Sequence, residues 1–316
     1  MKVLITGVAG FIGFHLAIKL LNNKFKVDGV DSLDNYYSVK YKKLRILELK
    51  KQKNFNFINF DLIDKKKIKQ KLNKRYEYIF HFAAQAGVRY SFDNPEKYVD
   101  SNIVAFANIL NFLKNKKTKK IFYASSSSVY GEVKKFPCKE SSKLNPKNIY
   151  AFSKVVNERL ADFYSKKYKI NIIGLRFFTC YGEWGRPDMF LFKLFKSIEK
   201  KEYLNLNNYG NHYRDFTYIE DLLKIILKLI KSNLKKHEIF NICSNKPISI
   251  LRITNLFKNK GLKLRKIKKH PADVYKTHGD NTKVLKIVKN IHFTDPDKAI
   301  LKTYNWYKSK KIIKNI

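Results

Sequence analysis

The feature that most constrains the fold is the alternation of short apolar segments with amphipathic stretches over roughly the first 180 residues. Short segments rich in Val, Ile, Leu and Phe predict strands, and the longer stretches between them have the apolar spacing of helices. Strands are predicted at 2–6, 25–31, 55–60, 78–82, 120–124 and 171–177. Because strand–helix alternation of this kind is typical of parallel pairing, we predict an α/β fold built on a doubly wound parallel sheet.

The pattern loosens after about residue 180. The first part contains two long predicted helices, at 96–113 and 148–167. Later elements are predicted at 188–200 (helix), 213–217 (strand), 219–231 (helix), 238–242 (strand) and 264–267 (strand). We therefore expect a nucleotide-binding domain at 1–180 and a smaller α+β substrate-binding lobe at 181–316. No linker marks the boundary, so we expect the two parts to be interleaved.

Three glycines follow the first predicted strand, and a helical stretch begins among them. Gly7 allows a tight turn, Gly10 allows close approach of a pyrophosphate to the backbone, and Gly13 allows the helix to pack on the sheet. The free N–H groups at the start of a helix attract phosphate. Asp31 ends the next strand, as expected for a residue that binds the adenosine ribose. This context predicts that residues 1–180 form a Rossmann-type dinucleotide-binding domain.

The residue at position 31 also indicates which dinucleotide is bound. The Asp31 carboxylate can accept hydrogen bonds from a ribose diol and would repel a 2′-phosphate, so we predict NAD rather than NADP. A helix cap is the alternative role for Asp61 at the next strand end. The remaining predicted cofactor contacts are Phe11, Ile12, Asp61, Leu62, Ala83 and Ala84.

A tyrosine and a lysine stand four residues apart, and a serine run precedes them. On a helix this spacing places Tyr150 and Lys154 on one face. A free tyrosine has a pKa of about 10 and is a poor base at neutral pH. A nearby ammonium group favours the phenolate, so we expect Lys154 to lower the pKa of Tyr150. Together with the dinucleotide motif, this pair predicts redox chemistry on an alcohol.

The charge of the chain is strongly positive, at +40. The basic residues are spread along the sequence and do not form one stripe, so we do not expect nucleic-acid binding. Only nine of the 66 basic residues are arginine. Each arginine therefore indicates a place where lysine would not serve, such as two-point phosphate binding. We expect this role for Arg89, Arg176, Arg186 and Arg214, and ordinary surface ion pairs for Arg45, Arg75, Arg159, Arg252 and Arg265.

Several other classes of protein are disfavoured. No uninterrupted apolar stretch of about 18 residues is present, so we expect no membrane insertion. The first strand begins at Lys2 with no signal-peptide pattern before it. Cys138, Cys180 and Cys243 are widely separated, which predicts neither a disulfide framework nor a metal site. A cytoplasmic location fits these features.

Beyond these two motifs, four longer segments resemble the nucleotide-sugar epimerases of the extended short-chain dehydrogenase/reductase family. They are Ala83 to Ser91 (AAQAGVRYS), Tyr123 to Gly131 (YASSSSVYG), Leu175 to Met189 (LRFFTCYGEWGRPDM) and Tyr213 to Ile219 (YRDFTYI). Within that family the chain is most similar to the UDP-glucuronate 4-epimerases, and the resemblance covers nearly the whole chain.

The resemblance implies a reaction and catalytic roles. Tyr150, as phenolate, would take the proton from the sugar 4-hydroxyl while C4 gives hydride to NAD⁺. The 4-keto sugar would turn within the site, and hydride would return to its opposite face. By the same matching, Lys154 also binds the nicotinamide ribose, and Ser126 hydrogen-bonds O4 beside Tyr150.

The resemblance also implies a set of substrate contacts. Hydroxyl groups near the sugar C5 substituent would come from Ser127, Ser128 and Thr179, and could bind a carboxylate without a fixed salt bridge. UDP contacts are expected from Arg186 and Arg214, a position beside the sugar for Arg89, and a nucleotide-side position for Asp273. Helices 96–113 and 148–167 resemble the pair that forms a homodimer interface in the family.

Alternative functions stay open at this point. A 4,6-dehydratase needs an acid–base pair, and such enzymes have Asp-Glu where this chain has Ser127-Ser128. A UDP-glucuronate decarboxylase would share the 4-keto step. An epimerase acting on UDP-glucose or a UDP-N-acetyl sugar would share the whole mechanism. A non-catalytic NAD- or RNA-binding protein would keep the glycines but would not need Tyr150, Lys154 and Ser126 together.

Overall fold

A computed structural model shows twelve strands and describes residues 1–271 and 273–310. The strands are β1 (Lys2–Thr6), β2 (Lys26–Asp31), β3 (Phe55–Asn59), β4 (Tyr78–His81), β5 (Lys120–Ser126), β6 (Ile172–Phe177), β7 (Thr179–Tyr181), β8 (Tyr203–Asn207), β9 (Tyr213–Tyr218), β10 (His237–Ile242), β11 (Pro247–Ser249) and β12 (Lys263–Ile267). The α-helices are α1 (Phe11–Asn22), α2 (Val39–Lys50), α3 (Lys65–Lys71), α4 (Tyr90–Asp93), α5 (Pro95–Tyr98), α6 (Ala105–Leu113), α7 (Ile149–Tyr168), α8 (Phe190–Lys200), α9 (Ile219–Lys231), α10 (Ile250–Asn255), α11 (Thr282–Val288) and α12 (Pro296–Ser309).

Seven strands form one parallel sheet in the order β10-β6-β5-β4-β1-β2-β3. The predicted doubly wound α/β fold is therefore confirmed. The chain runs outward from β1 to β3 and then crosses to β4 on the other side of β1. Ligands bind at the carboxyl ends of the strands beside such a change of direction.

One strand assignment from the sequence is wrong. The segment predicted as a small-lobe strand at 238–242 is β10, which pairs with β6 at the edge of the large sheet. Helix α9 returns the chain to that edge, so β10 becomes the last strand of the sheet. Phe240 and Ile242 of β10 are buried there. The chain therefore contributes to the large sheet after residue 180, and the division into 1–180 and 181–316 stays a prediction.

The two faces of the sheet carry separate apolar layers. Alternate residues of a strand point to opposite faces. Accordingly Val3 and Ile5 pack in one layer with α1, α2, α8, α9 and α12, whereas Leu4 packs in the other with α3, α6 and α7. Burial on both faces explains why these strands read as continuous apolar runs.

The long helix predicted at 96–113 is not a single α-helix. A π-helical segment, Val99–Val104, separates α5 from α6. The buried Asn102 in this segment accepts a hydrogen bond from Gln85 N and donates to Gln85 O and to Ser153 Oγ. These contacts tie the helix to the loop after β4 and to α7. These hydrogen bonds offset the poorer geometry of the π-helical segment. Short π-helical segments are often found at functional sites.

Two small sheets lie beyond the carboxyl ends of the large one. Strands β7 and β9 are parallel and β11 is antiparallel to β9, while β12 is parallel to β8. Strand β7 follows β6 after one residue, so the chain passes directly from the large sheet into the wall of a cavity. The predicted strands near 213–217 and 264–267 correspond to β9 and β12.

Candidate active site

A cavity of about 1180 Å³ lies at the carboxyl ends of the parallel strands. The small sheets form its opposite wall. Apart from Arg176, the site residues predicted from the sequence line it, namely Gly7, Gly10, Phe11, Ile12, Gly13, Asp31, Asp61, Leu62, Ala83, Ala84, Arg89, Ser126, Ser127, Ser128, Tyr150, Lys154, Thr179, Arg186, Arg214 and Asp273. The structure thus brings the predicted residues together, and their individual roles stay predictions.

The glycine turn has the shape that a dinucleotide requires. Gly7 has a φ of +73°, and a Cβ there would lie 2.6 Å from Ala83 N. A Cβ on Gly13 would lie 2.2 Å from Gly7 O, so the helix can approach the turn only without a side chain. Gly10 precedes the first turn of α1 and has no capping side chain, which leaves N–H groups of the helix N-terminus toward the cavity. A pyrophosphate fits this arrangement.

Asp31 ends β2 beside the glycine turn. Its carboxylate accepts hydrogen bonds from Ala9 N at 3.0 Å and Leu33 N at 2.8 Å. Burial raises the pKa of Asp31, and the charges of Lys42 and Arg45 oppose that rise. Lys42 also lines the cavity and was missed from the sequence, where it is one of many lysines. A carboxylate flanked by a cation is suited to bind a ribose diol.

The remaining predicted cofactor contacts lie at the next strand ends. Asp61 accepts a hydrogen bond from Ile63 N, and the cap of α3 is Asp64, so the helix-cap alternative for Asp61 is wrong. Asn108 donates to the carbonyl oxygen of Leu62 and fixes this turn. Ala83 N donates to Thr6 Oγ1. These residues border the cavity with backbone and small or apolar side chains.

Ser126 and Tyr150 meet inside the cavity. Ser126 ends β5, and its Oγ accepts a hydrogen bond from Ser128 N at 3.1 Å. A hydrogen bond from Ser126 and the charge of Arg186 both lower the pKa of Tyr150, but burial outweighs them and the pKa is raised overall. The lowered pKa expected from the sequence is therefore wrong. The sequence did not show that burial of the phenol would outweigh both effects.

Lys154 is buried one helical turn after Tyr150. Its Nζ donates to Ala124 O at 2.9 Å and lies 5.9 Å from the centre of the Tyr150 ring. Burial lowers the pKa of Lys154 to about 8. The ammonium is thus anchored on the strand that delivers Ser126. It also lies near the phenol.

Neutral hydroxyl groups surround this pair. Ser127 and Ser128 begin a 3₁₀ turn after β5, and Thr179 begins β7. Cys180 follows Thr179 in the lining, and burial raises the pKa of its thiol well above the ordinary range. The wall near Tyr150 can therefore donate several hydrogen bonds to an anion without a fixed countercharge.

Arg186 is held by a carboxylate that the sequence did not single out. Its Nε and Nη2 donate to Asp188 at 3.0 and 2.5 Å, and Asp188 also accepts from the Tyr36 hydroxyl at 3.2 Å. The negative charge of Asp188 raises the pKa of Arg186 beyond its ordinary range, although burial opposes the rise. The guanidinium therefore stays charged, and its charge also acts on the phenol of Tyr150 across the cavity that both residues line.

Arg214 and Arg89 differ in the groups that accept their hydrogen bonds. Arg214 donates to the carbonyl oxygens of Tyr213, Val274 and Tyr275, and burial lowers its pKa. Its hydrogen bonds within 1–271 and 273–310 all go to neutral groups, which suits phosphate binding. Arg89 instead pairs with Asp273 at 2.9 Å, so two predicted substrate residues contact each other.

Two arginines are placed differently from the expectation. Arg45, expected in a surface ion pair, is fully buried and donates to main-chain oxygens. Arg176, expected at a phosphate, is buried behind β5 and pairs with Glu158 through two hydrogen bonds of 2.8 Å. Glu158 also accepts from Ser125 Oγ at 2.6 Å. This network stabilises the carboxyl end of β5.

Within residues 1–271 and 273–310, no group of three or more His, Cys, Asp or Glu side chains is arranged to hold a metal ion. No described helix has the length and apolarity needed to cross a membrane.

The fold and cavity together define an enzyme of the extended short-chain dehydrogenase/reductase class. Residues 3–243 match the NAD dependent epimerase/dehydratase family, and the chain belongs to that family. The prediction of NAD as cofactor is confirmed with it.

Named relatives match over almost their whole length. The chain is 38% identical to Protein CapI of Staphylococcus aureus over 97% of this chain and 98% of the relative. It is 36% identical to the UDP-glucuronate 4-epimerase of Thermodesulfobacterium geofontis, covering 99% and 98%. The crystal structure of UDP-glucuronic acid 4-epimerase from Bacillus cereus, in complex with UDP-glucuronic acid and NAD, matches with a TM-score of 0.90 and 30% identity over 98% and 99%.

Proposed function

We propose that the protein is a UDP-glucuronate 4-epimerase that interconverts UDP-glucuronate and UDP-galacturonate. The observation that carries the proposal is the set of neutral hydroxyls at Ser127, Ser128 and Thr179 in the same cavity as Tyr150. Several neutral donors bind a C5 carboxylate but leave it free to move when the 4-keto ring turns over. The similarity to UDP-glucuronate 4-epimerases supports the same assignment.

The residues around Tyr150 have separate roles in the proposed reaction. The glycine turn and Asp31 would hold NAD⁺, which would supply reversible hydride transfer at C4 of the sugar. Tyr150 holds the proton that leaves the 4-hydroxyl and gives it back on either face. Ser126 Oγ already accepts from Ser128 N, so its own hydrogen is free to be donated to O4 or to the phenolate. Lys154 donates one hydrogen bond to Ala124 O, and its other N–H groups would bind the cofactor ribose.

The nucleotide is bound by the opposite wall. Arg214 is half-buried, and its hydrogen bonds within the described residues go to neutral groups, so its guanidinium can bind a diphosphate. Arg186 lines the same cavity and stays ionised beside Asp188. We assign Arg186 and Arg214 to the UDP portion, and Arg89 with Asp273 to the mouth of the sugar pocket.

The alternatives differ in what they need beside the 4-keto step. A dehydratase needs a general acid for elimination, and the hydroxyls of Ser127 and Ser128 do not supply one. A decarboxylase would act on the same UDP-glucuronate and release carbon dioxide. An epimerase for UDP-glucose would bind a neutral hydroxymethyl group at C5, which accepts fewer hydrogen bonds than a carboxylate does.

The test is to incubate purified protein with UDP-glucuronate and separate the products by anion-exchange chromatography. We expect UDP-galacturonate, with no carbon dioxide and no UDP-pentose. Tyr150→Phe should lower kcat by roughly 100-fold or more, because it removes the acid–base group. Tyr168→Phe, the same change at the far end of α7, is the matched control. Gas release or a UDP-pentose product would refute the assignment.

The identity of the C5 substituent has its own test. Thr179→Val removes one hydroxyl from the proposed carboxylate pocket and keeps the shape of the side chain. We expect kcat/KM to fall more for UDP-glucuronate than for UDP-glucose. Equal losses would show that Thr179 does not read the carboxylate.

We also propose a homodimer and a cytoplasmic location. Helix α7 exposes Phe152 and Phe163, and the 90–113 segment exposes Phe92 and Val99. Apolar side chains on two neighbouring helices are suited to pack against a second copy. Light scattering should give the mass of two chains. Replacing Phe163 by Glu should shift that mass toward one chain.

A further inference from the structure

The segment that precedes Arg186 forms a strained turn. Gly185 N donates to Gly182 O at 3.1 Å, which closes a four-residue turn. Its third residue, Trp184, has a φ of +57°. Such turns normally place glycine or asparagine there, because a side chain is disfavoured in the left-handed region. A bulky residue keeps this conformation only when its surroundings hold it.

Those surroundings come from the two helices beside the dinucleotide site. His15 on α1 donates from Nε2 to Glu183 O at 2.7 Å. Arg45 on α2 donates from Nη2 to Trp184 O at 2.5 Å and to Gly185 O at 3.4 Å. Three successive carbonyl groups of the turn therefore accept hydrogen bonds from the cofactor side of the molecule.

Packing supports the same connection. The Trp184 indole lies against Phe14 of α1 and Tyr41 of α2, with ring centres 5.4 and 5.6 Å apart. The Arg45 guanidinium lies 4.6 Å from the centre of the Tyr41 ring. Because α1 is the helix whose N-terminus faces the cavity, the turn is fixed directly to the dinucleotide site.

The other branch of the Arg45 side chain reaches the glycine turn. Its Nη1 donates to Ala9 O at 2.7 Å and to the Tyr37 hydroxyl at 2.8 Å. The N–H of Ala9 donates in turn to Asp31. One fully buried guanidinium thus joins the turn between Gly7 and Gly10 to the turn that precedes Arg186. The compact ammonium of a lysine does not reproduce this fork.

We propose that Arg45 is a positioning residue that couples the dinucleotide site to the nucleotide-sugar site. When the cofactor orders the glycine turn, Arg45 fixes the carbonyls of Trp184 and Gly185. Arg186 then stands in place for the second ligand. NAD should therefore tighten UDP binding, and the two ligands should bind cooperatively. The proposal rests on the proposed function only for the choice of a uridine nucleotide as the second ligand.

The experiment measures UDP binding by calorimetry, with protein stripped of cofactor and with saturating NAD. For the unaltered protein we expect NAD to lower the Kd for UDP at least about fivefold, the lower end of typical coupling between sites. Arg45→Lys keeps the charge but loses the fork, and we expect the ratio of the two Kd values to fall to within about twofold of 1. Arg252→Lys, at an exposed arginine paired with Asp297, is the matched control and should keep the ratio.

A purely structural role predicts another outcome. If Arg45 only stabilised the fold, Arg45→Lys would lower the melting temperature and weaken both ligands, but the ratio would stay as in the unaltered protein. That result, or the absence of coupling in the unaltered protein, would overturn the proposal. Should Arg45→Lys not fold, His15→Leu removes the neighbouring donor to Glu183 O. It should lower the ratio, and an unchanged ratio counts against the proposal.

This readout is independent of turnover. Cooperative binding of NAD and UDP without epimerisation of UDP-glucuronate would leave Arg45 in its role and refute the proposed function. Epimerisation without any coupling would do the reverse.

Discussion

Replacing Lys154 by methionine should make the protein more stable below pH 8 and nearly inactive. The side chain is 3% exposed, and its Nζ donates to Ala124 O. Burial lowers the pKa of this ammonium to about 8, from an ordinary value of 10.5. The ammonium of Lys154 is therefore less stable in the folded protein than it is in water.

The magnitude follows from the two pKa values. A difference of about 2.5 between them corresponds to about 3 kcal/mol of unfavourable free energy for the charged form in the folded state. Methionine has a similar length and no charge. It also loses the hydrogen bond to Ala124 O, which costs about 1 kcal/mol. The net expectation is a gain of about 2 kcal/mol in the free energy of unfolding at pH 7.

The pH dependence gives the prediction its sign. The folded-state pKa lies below the unfolded value, so the unfolded chain binds more protons between pH 8 and 10.5. The stability contributed by Lys154 therefore rises with pH across that window. The variant lacks this dependence, so its advantage should be constant below pH 8 and should shrink to near zero at about pH 10.

The assay is urea unfolding, followed by circular dichroism, at several pH values from 6 to 10. Bound cofactor must be removed from both proteins first, because a ligand that binds only the folded state would mask the difference. Lys43→Met, at an exposed lysine on α2, is the control and should change the free energy by no more than about 0.5 kcal/mol. In the epimerase assay, Lys154→Met should lower kcat at least about 100-fold.

Two results would refute this reasoning. One is a Lys154→Met variant that is less stable than the unaltered protein at pH 7. The other is a stability difference that is the same at pH 7 and pH 10, because it would show that the charge of the lysine is not what costs stability.

Three further predictions concern the residues around the catalytic pair. Gly13→Ala places a methyl group 2.2 Å from Gly7 O and should abolish NAD binding, measured as the NAD content of purified protein; a full complement of NAD would contradict the glycine-turn argument. Asp31→Asn should weaken NAD by roughly tenfold or more and narrow the preference for NAD over NADP, as followed by fluorescence titration, because it removes a charged acceptor for the ribose; an unchanged preference would contradict this. Arg176→Met leaves Glu158 buried without its partner and should cost about 3–5 kcal/mol in urea unfolding, whereas the double replacement by apolar residues should cost less; an equal cost for single and double variants would contradict the unpaired-charge explanation.

The fold was predictable because its signals are local. Each strand of the large sheet that was predicted within 1–180 is present, with bounds that shift by a few residues. The candidate site followed from the same pattern. Parallel strands bring their carboxyl ends to one edge, so Gly7, Asp31, Ser126 and their neighbours had to converge. The assignment of β10 failed because pairing with β6 depends on how α9 returns the chain, which no local pattern records.

Burial was the property that the sequence did not reveal. The pair Tyr150 and Lys154 was correctly placed on one helical face, but the direction of the Tyr150 pKa was wrong. Spacing shows which groups are neighbours and gives no measure of how far water is excluded. Desolvation opposes the charged form of both groups, and here it exceeds the hydrogen bond from Ser126 and the charge of Arg186. If Tyr150 is the base, as proposed, its pKa must fall when the ligands bind.

The arginines show how a sound sequence argument can name the wrong partner. In a chain with 57 lysines, arginine was expected where a planar fork is needed. Arg45, Arg176, Arg186 and Arg214 all donate at least two hydrogen bonds, whereas the exposed Arg252 forms a single ion pair. Yet Arg45 bridges main-chain carbonyls and Arg176 binds a buried carboxylate, so neither contacts phosphate. The sequence therefore identifies positions that need the forked guanidinium of arginine. Whether that guanidinium binds a ligand or stabilises the fold depends on its burial. Arg45 links the glycine turn of the dinucleotide site to the turn that precedes Arg186. Its replacement should therefore weaken binding at the nucleotide-sugar site as well as at the dinucleotide site.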